Sequence, residues 1–132
     1  MTPPRETRVT TGRWWSVAFA VALLAQCWAL YTPNAPSGPD FGLPMDKVVH
    51  LLMFAAVAWL GVRAGIPPAW MGALMVVQAG ISEVIQRSVM TTRSGDWWDF
   101  AADLVGIVIG ITAGFVQTRD RSHTRDYLPD GQ

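Results

Sequence analysis

The chain has 132 residues, of which 51% are hydrophobic and only 15% charged, and its formal net charge is zero. A chain of this length forms one small unit and has no room for a soluble catalytic domain beside a membrane-embedded one. Without a net positive charge or a basic stripe, the composition gives no support for nucleic-acid binding. We therefore expect an all-α membrane protein that has no nucleic-acid partner.

Four apolar runs follow one another along the chain, at about residues 14–31, 48–62, 66–85 and 100–116. Each approaches the roughly 20 residues that a membrane-spanning helix needs, although the second and fourth runs must recruit polar flanks. We predict a small bundle of four transmembrane helices at residues 13–118, between cytoplasmic tails at 1–12 and 119–132. The polar ends, 1–11 and 120–132, lack apolar periodicity and are expected to lack regular structure.

The first apolar run also has the basic residues and the apolar stretch of a signal peptide. We favour a retained helix, because the run is long for a signal peptide and Asn34-Ala35 is a poor cleavage site. The single cysteine, Cys27, cannot form an internal disulfide and is most simply a packing residue. The proline-rich stretch at 32–39 is expected to form an irregular loop outside the membrane.

The basic residues predict the orientation of the bundle. Seven of the ten Lys and Arg residues belong to the two tails or to the turn between the second and third helices, namely Arg5, Arg8, Arg13, Arg63, Arg119, Arg121 and Arg125. Such segments remain in the cytoplasm by the positive-inside rule. We therefore predict a multi-pass protein of the bacterial plasma membrane with both termini cytoplasmic. Tryptophans near the predicted helix ends are typical of interfacial anchors.

A first charged motif, Asp46-Lys47-x-x-His50, opens the second helix at its outer end. Asp46 and His50 share a helix face at this spacing. Each residue also has a structural interpretation: Asp46 as a helix N-cap, Lys47 as an interfacial charge and His50 as a partner in a helix–helix hydrogen bond. Whether these three residues form part of a functional site or only stabilise the helices stays open at this point.

A second motif, Glu83-x-x-Gln86-Arg87, ends the third helix. Glu83 lies deeper than the helix end and is expected to face the bundle, because a lipid-facing carboxylate would cost several kcal/mol. An ion pair between Glu83 and Arg87, four residues apart on the same helix, is the structural alternative.

A third motif surrounds the start of the fourth helix and contains Arg93, Asp96, Asp99 and Asp103. Asp99 and Asp103 are predicted to share one helix face with Gly106, Gly110 and Gly114. The glycines form a small-xxx-small stripe, which favours close packing of helices in membranes. Packing does not explain why two carboxylates continue that stripe toward the outer leaflet.

If the three motifs meet, five acidic residues and three permanently charged basic residues lie together at the outer ends of the helices. The acidic residues are Asp46, Glu83, Asp96, Asp99 and Asp103, and the basic residues are Lys47, Arg87 and Arg93. A partly desolvated pocket can hold such a surplus of negative charge only by taking up protons, binding a metal or receiving a positively charged group of a ligand. The residues predicted to line this pocket are Asp46, Lys47, His50, Glu83, Gln86, Arg93, Asp96, Asp99 and Asp103.

Four of these side chains, His50, Glu83, Asp99 and Asp103, are candidate general bases and are also of the types that bind a divalent metal. No spacing that specifies a metal, such as His-Glu-x-x-His, is present, so the cofactor stays undetermined. Lys47 and Arg93 are suited to holding a lipid phosphate.

Together the three motifs resemble the VanZ-like family of bacterial membrane proteins. The resemblance covers Asp46 to Gly114 in order and spacing, and departs at Met90-Thr91-Thr92, where the family commonly has Pro-Gly. The family is named after a protein associated with teicoplanin resistance, and its members are linked with the cell envelope. The resemblance implies an envelope protein and an influence on glycopeptide susceptibility, but it assigns no molecular activity.

Three functions are compatible with these observations. The first is binding of a lipid-linked or glycopeptide-like ligand in a pocket on the extracytoplasmic side. The second is an enzyme that acts on a lipid or isoprenoid phosphate, although the Asp-Gly-x-x-Ala-Arg pattern of CDP-alcohol transferases is missing. The third is a structural membrane subunit whose charges lock helices together. The corresponding partners are a membrane lipid, a lipid-linked envelope ligand, a second copy of the chain or another membrane protein.

Overall fold

The computed structural model describes residues 7–32, 45–89 and 97–126, which are almost entirely helical and contain no strand. The helices, in chain order, are α1 (Thr7–Tyr31), α2 (Met45–Arg63), α3 (Pro68–Val89) and α4 (Trp97–Asp126). Each contains a segment that is long and apolar enough to cross a membrane. The predicted all-α, four-helix architecture is confirmed, and it is that of a multi-pass membrane protein.

The outer helices extend further than their apolar runs. α1 begins at Thr7 and α4 continues to Asp126, so the expectation that residues 7–11 and 120–126 lack regular structure was wrong. The segment from Gln117 to Asp126 contains neither glycine nor proline, so nothing in it interrupts a helix that has already formed. Loss of apolar periodicity therefore does not mark the end of the helix here.

The centre of the bundle is the contact between α2 and α4, which is the most extensive in the fold. A Cβ atom added at Gly106 would overlap the carbonyl oxygen of Leu51, and one added at Gly110 would overlap that of Ala55. The backbones of the two helices therefore touch along the glycine stripe, as predicted. α3 packs mainly against α4, and α1 mainly against α2.

The buried apolar core is small and lies between the helices. Its members are Leu30, Phe54, Val57, Ala58, Val62, Met71, Met75, Ala79 and Ile107. Many other large apolar side chains point outward, among them Leu52, Val77 and Val108. A membrane solvates these outward faces, so a chain with this composition needs only a narrow internal core.

The turn between α2 and α3 is fixed by local hydrogen bonds. The amide of Ile66 donates to the carbonyl of Gly61, and the amide of Gly65 donates to that of Val62, each at 3.0 Å. This is a Schellman motif, and Gly65 supplies the positive φ of 97° that it requires. α3 then begins at Pro68, a residue suited to the first position of a helix. The tight turn makes α2 and α3 antiparallel neighbours.

Candidate ligand site

A cluster of buried polar side chains lies where α2 and α4 begin and α3 ends. Its members are His50, Glu83, Asp99 and Asp103, all of them at most 7% exposed. His50 is five residues from the start of α2, whereas Asp103 and Glu83 are six residues from the nearest ends of their helices. At 1.5 Å per residue, these three residues lie about 7–9 Å inside the helix ends, whereas Asp99, two residues from the start of α4, lies about 3 Å inside.

Two polar contacts join α2 to α4 within this cluster. Lys47 Nζ donates a hydrogen bond to Asp99 Oδ1 at 2.9 Å, and His50 Nδ1 lies 3.0 Å from Asp103 Oδ1. The Lys47 side chain is 32% exposed while that of Asp99 is 3% exposed, so this pair lies at the edge of the cluster. The His50–Asp103 pair lies one helical turn deeper and is fully enclosed.

Glu83 enters the cluster from α3. Its carboxylate and the ligand atoms of His50 and Asp103 all lie within 4.8 Å of one another. Neither oxygen of Glu83 has a hydrogen-bond partner in the described part of the chain, and neither does Asp103 Oδ2. The predicted convergence of His50 and Glu83 is confirmed, and Asp99 faces inward as expected.

The proposed ion pair between Glu83 and Arg87 is not the arrangement found. The Arg87 guanidinium lies 5.2 Å from the centre of the Trp97 ring, on α4, while the Glu83 oxygens accept no hydrogen bond. A cation over an aromatic face is a favourable contact. Glu83 is therefore not neutralised within its own helix.

The remaining predicted site residues separate into three groups. Asp46 is exposed in the first turn of α2, where a carboxylate complements the helix dipole. Gln86 is buried, but its Nε2 donates to the carbonyl of Leu30 at 3.2 Å, so it ties α3 to α1. Arg93 and Asp96 lie outside the described residues.

A further polar contact joins α1 and α3, and it includes Gln26, for which no contact was predicted. Gln78 Nε2 lies 3.5 Å from both Gln26 Oε1 and Cys27 Sγ. Gln26 is buried, and a polar residue in the middle of an otherwise apolar run was the signal for it. Such contacts hold membrane helices together, which accounts for these side chains without a ligand.

The opposite end of the bundle carries a different set of groups. The Arg63 guanidinium lies 4.2 Å from the centre of the Trp15 ring and donates a hydrogen bond to Gln117 Oε1, which Trp59 Nε1 also contacts at 3.0 Å. Arginine and tryptophan together are typical of the membrane interface. The two ends therefore differ: one has an interfacial anchor and the other a buried acidic cluster.

Comparison of the chain with known protein families, with curated proteins and with solved structures finds no match. The resemblance to the VanZ-like family accordingly stays a prediction from the motifs.

Proposed function

We propose that the protein is a small, VanZ-like integral membrane protein of the bacterial cell envelope that binds a lipid-linked ligand at the cluster of His50, Glu83 and Asp103. The observation that carries this proposal is the Glu83 carboxylate, which is only 7% exposed and whose oxygens have no partner in the described residues. Buried polar groups almost always have hydrogen-bond partners, and leaving one without costs about 1–3 kcal/mol, more if it is charged. A bound ligand would relieve this cost by supplying the missing partner.

The depth of the cluster supports a lipid as the source of that ligand. α2 has 19 residues, which span about 28 Å, close to the roughly 30 Å thickness of the hydrocarbon core. A cluster about 7–9 Å inside the helix ends then lies just below the lipid headgroups. A lipid-linked molecule can present a polar group at this depth while its chains stay in the bilayer. A water-soluble glycopeptide would have to leave water to reach it, so we propose that any effect on glycopeptide susceptibility acts through the bound lipid.

The orientation is part of the proposal. If both termini are cytoplasmic, the end with the acidic cluster faces outward, and cysteines placed at Ser37 and Thr92 react with an impermeant maleimide on intact cells. A cysteine at Ala64, in the turn between α2 and α3, should not react. Ala64 is preferable to its neighbour Gly65, whose positive φ disfavours any side chain. All variants carry Cys27→Ser, so that the introduced cysteine is the only one in the chain. Labelling at Ala64 with none at Thr92 would show that the orientation is the reverse of the predicted one.

Lipid analysis of the purified protein tests ligand binding. We expect one class of envelope lipid to copurify in mild detergent at about one molecule per chain, enriched over its share of the source membrane. Gln78→Leu is the matched control, because it alters a polar side chain of α3 that contacts α1 and not the cluster; it should retain the same lipid. Lipid that merely mirrors the composition of the membrane would contradict the proposal.

A second candidate function, an enzyme acting on a lipid phosphate, is favoured by the contact between His50 and Asp103. A carboxylate at Nδ1 of a histidine orients the ring and fixes its tautomer, as in catalytic groups where the other nitrogen acts as a base. Release of phosphate or a changed headgroup after incubation with the copurified lipid would distinguish turnover from binding. Lipid recovered unchanged after prolonged incubation would exclude the enzymatic function.

A further inference from the structure

We infer that His50, Glu83 and Asp103 together bind one divalent metal ion of the first transition row, with Zn²⁺ or Mn²⁺ as the fitting class. The inference deepens the proposed function and rests on it for the choice of this cluster as a ligand site. In this arrangement the metal ion supplies the partner that the carboxylate oxygens of Glu83 lack among the described residues.

The spacing of the three side chains suits coordination of a single ion. Their ligand atoms lie within 4.8 Å of one another. Two oxygen or nitrogen ligands of a tetrahedral site, each about 2.0–2.2 Å from the ion, lie about 3.3–3.6 Å apart. The ligand atoms therefore have to approach one another by up to about 1.5 Å to hold one ion, a distance that rotation about side-chain bonds can supply.

The donor atoms have the right chemistry and are not fully used by contacts among the described residues. The cluster offers an imidazole and two carboxylates, a mixed nitrogen and oxygen set that suits Zn²⁺ and Mn²⁺ better than thiolate-seeking ions. Both Glu83 oxygens and Asp103 Oδ2 have no hydrogen-bond partner in the described ranges. These are the lone pairs that an ion would occupy.

The charges also favour a dication. Asp99 is paired with Lys47 at the edge of the cluster. The carboxylates of Glu83 and Asp103, when ionised, then require two positive charges, which one divalent ion provides beside a neutral His50. A proton on each carboxylate would balance the charge too, and metal analysis of the purified protein distinguishes the two states.

A bound ion also explains how an acidic cluster can receive an anionic lipid. Three protein ligands leave a coordination position open, and metals in such sites bind water or a substrate oxygen there. A phosphate oxygen of the lipid would occupy that position. Without the ion, two carboxylates would repel the phosphate.

Metal analysis of the purified protein tests the inference. The protein carries a histidine-free affinity tag and a His123→Gln substitution, which removes the only other histidine of the chain. After purification without chelators, elemental analysis by mass spectrometry should find about one Zn²⁺ or Mn²⁺ ion per chain. After stripping, calorimetric titration with Zn²⁺ or Mn²⁺ should restore it, whereas Mg²⁺ should bind more weakly.

Variants at the ligands make the assignment specific. Glu83→Gln and Asp103→Asn should each weaken metal binding by at least about tenfold, the lower range of effects seen even for groups that only support a metal ligand. Gln78→Leu should bind as the unaltered protein does. Circular dichroism shows whether each variant is folded, and two variants are used so that the failure of one to fold leaves the other as the test.

Two results would overturn the inference: no metal bound by the unaltered protein, or equal binding by the unaltered protein and a folded ligand variant. Lipid analysis on the same preparations separates the two proposals. Enriched lipid without metal removes the metal site and leaves lipid binding, whereas metal without enriched lipid removes lipid binding and leaves the metal site.

Discussion

Gly110→Ala should lower the free energy of unfolding by about 1–3 kcal/mol, the usual cost of overpacking a well-packed core. The added Cβ atom would overlap the carbonyl oxygen of Ala55 and approach the Cβ atom of Ala58 to 2.9 Å. A backbone carbonyl in a helix cannot rotate away, so α2 and α4 would have to separate along their whole contact. Unfolding in detergent, followed by circular dichroism during heating, measures the loss.

Gly80→Ala is the matched control for this change. Gly80 is also in the middle of a helix, but a Cβ atom there would meet no heavy atom within 4 Å. The substitution should therefore be neutral or should stabilise the protein by up to about 1 kcal/mol, because alanine favours helix over glycine. If both variants unfold alike, close packing of α2 on α4 at Gly110 is not what holds the bundle together.

Lys47→Met should also destabilise the protein strongly, because it leaves the buried Asp99 carboxylate without the ammonium that it contacts at 2.9 Å. Removing one partner of a fully buried pair costs about 3–5 kcal/mol. Lys47 is one-third exposed, so water screens part of the pair and we expect about 1–3 kcal/mol. Thermal unfolding in detergent again provides the measurement.

The double variant Lys47→Met/Asp99→Asn isolates the interaction between the two side chains. It should be more stable than Lys47→Met alone, because the uncompensated charge is gone, and the effects of the two single changes should not add. Strictly additive effects would mean that the contact contributes nothing, and that Asp99 finds its compensation elsewhere.

The parts of the fold that the sequence could predict are those governed by the bilayer and by helix periodicity. The four apolar runs, two of them extended by their polar flanks, predicted all four helices. The spacing of Asp99, Asp103 and the glycines predicted one shared face on α4, and Gly106 and Gly110 do lie against α2. The cost of exposing a carboxylate to lipid predicted that Glu83 would face inward.

The side-chain pairing within the site could not be predicted in the same way. Helices that are apolar on nearly all sides do not specify how far each is rotated about its axis, so the partners of Lys47 and His50 depended on packing. Gln86 illustrates the consequence: its spacing from Glu83 placed it at the predicted pocket, but it donates to the carbonyl of Leu30 on α1. Arg87 likewise contacts Trp97 and not the nearby carboxylate.

The central claim is that the buried acidic cluster binds a ligand and is more than a lock between helices. The two contacts between α2 and α4 would suit a lock, but Glu83 takes part in neither of them. Its buried carboxylate, which has no partner in the described residues, therefore separates the two interpretations.

Glu83→Gln tests this claim most directly, with unfolding and copurifying lipid measured on the same preparation. The amide keeps the shape of the side chain and removes a buried charge. Because bound metal and lipid themselves stabilise the unaltered protein, unfolding is compared after both have been stripped. A ligand site then predicts unchanged or higher thermal stability of the stripped variant, together with loss of the enriched lipid before stripping. A marked fall in stability, with the same lipid retained per folded molecule, would contradict the account and show that Glu83 serves the scaffold.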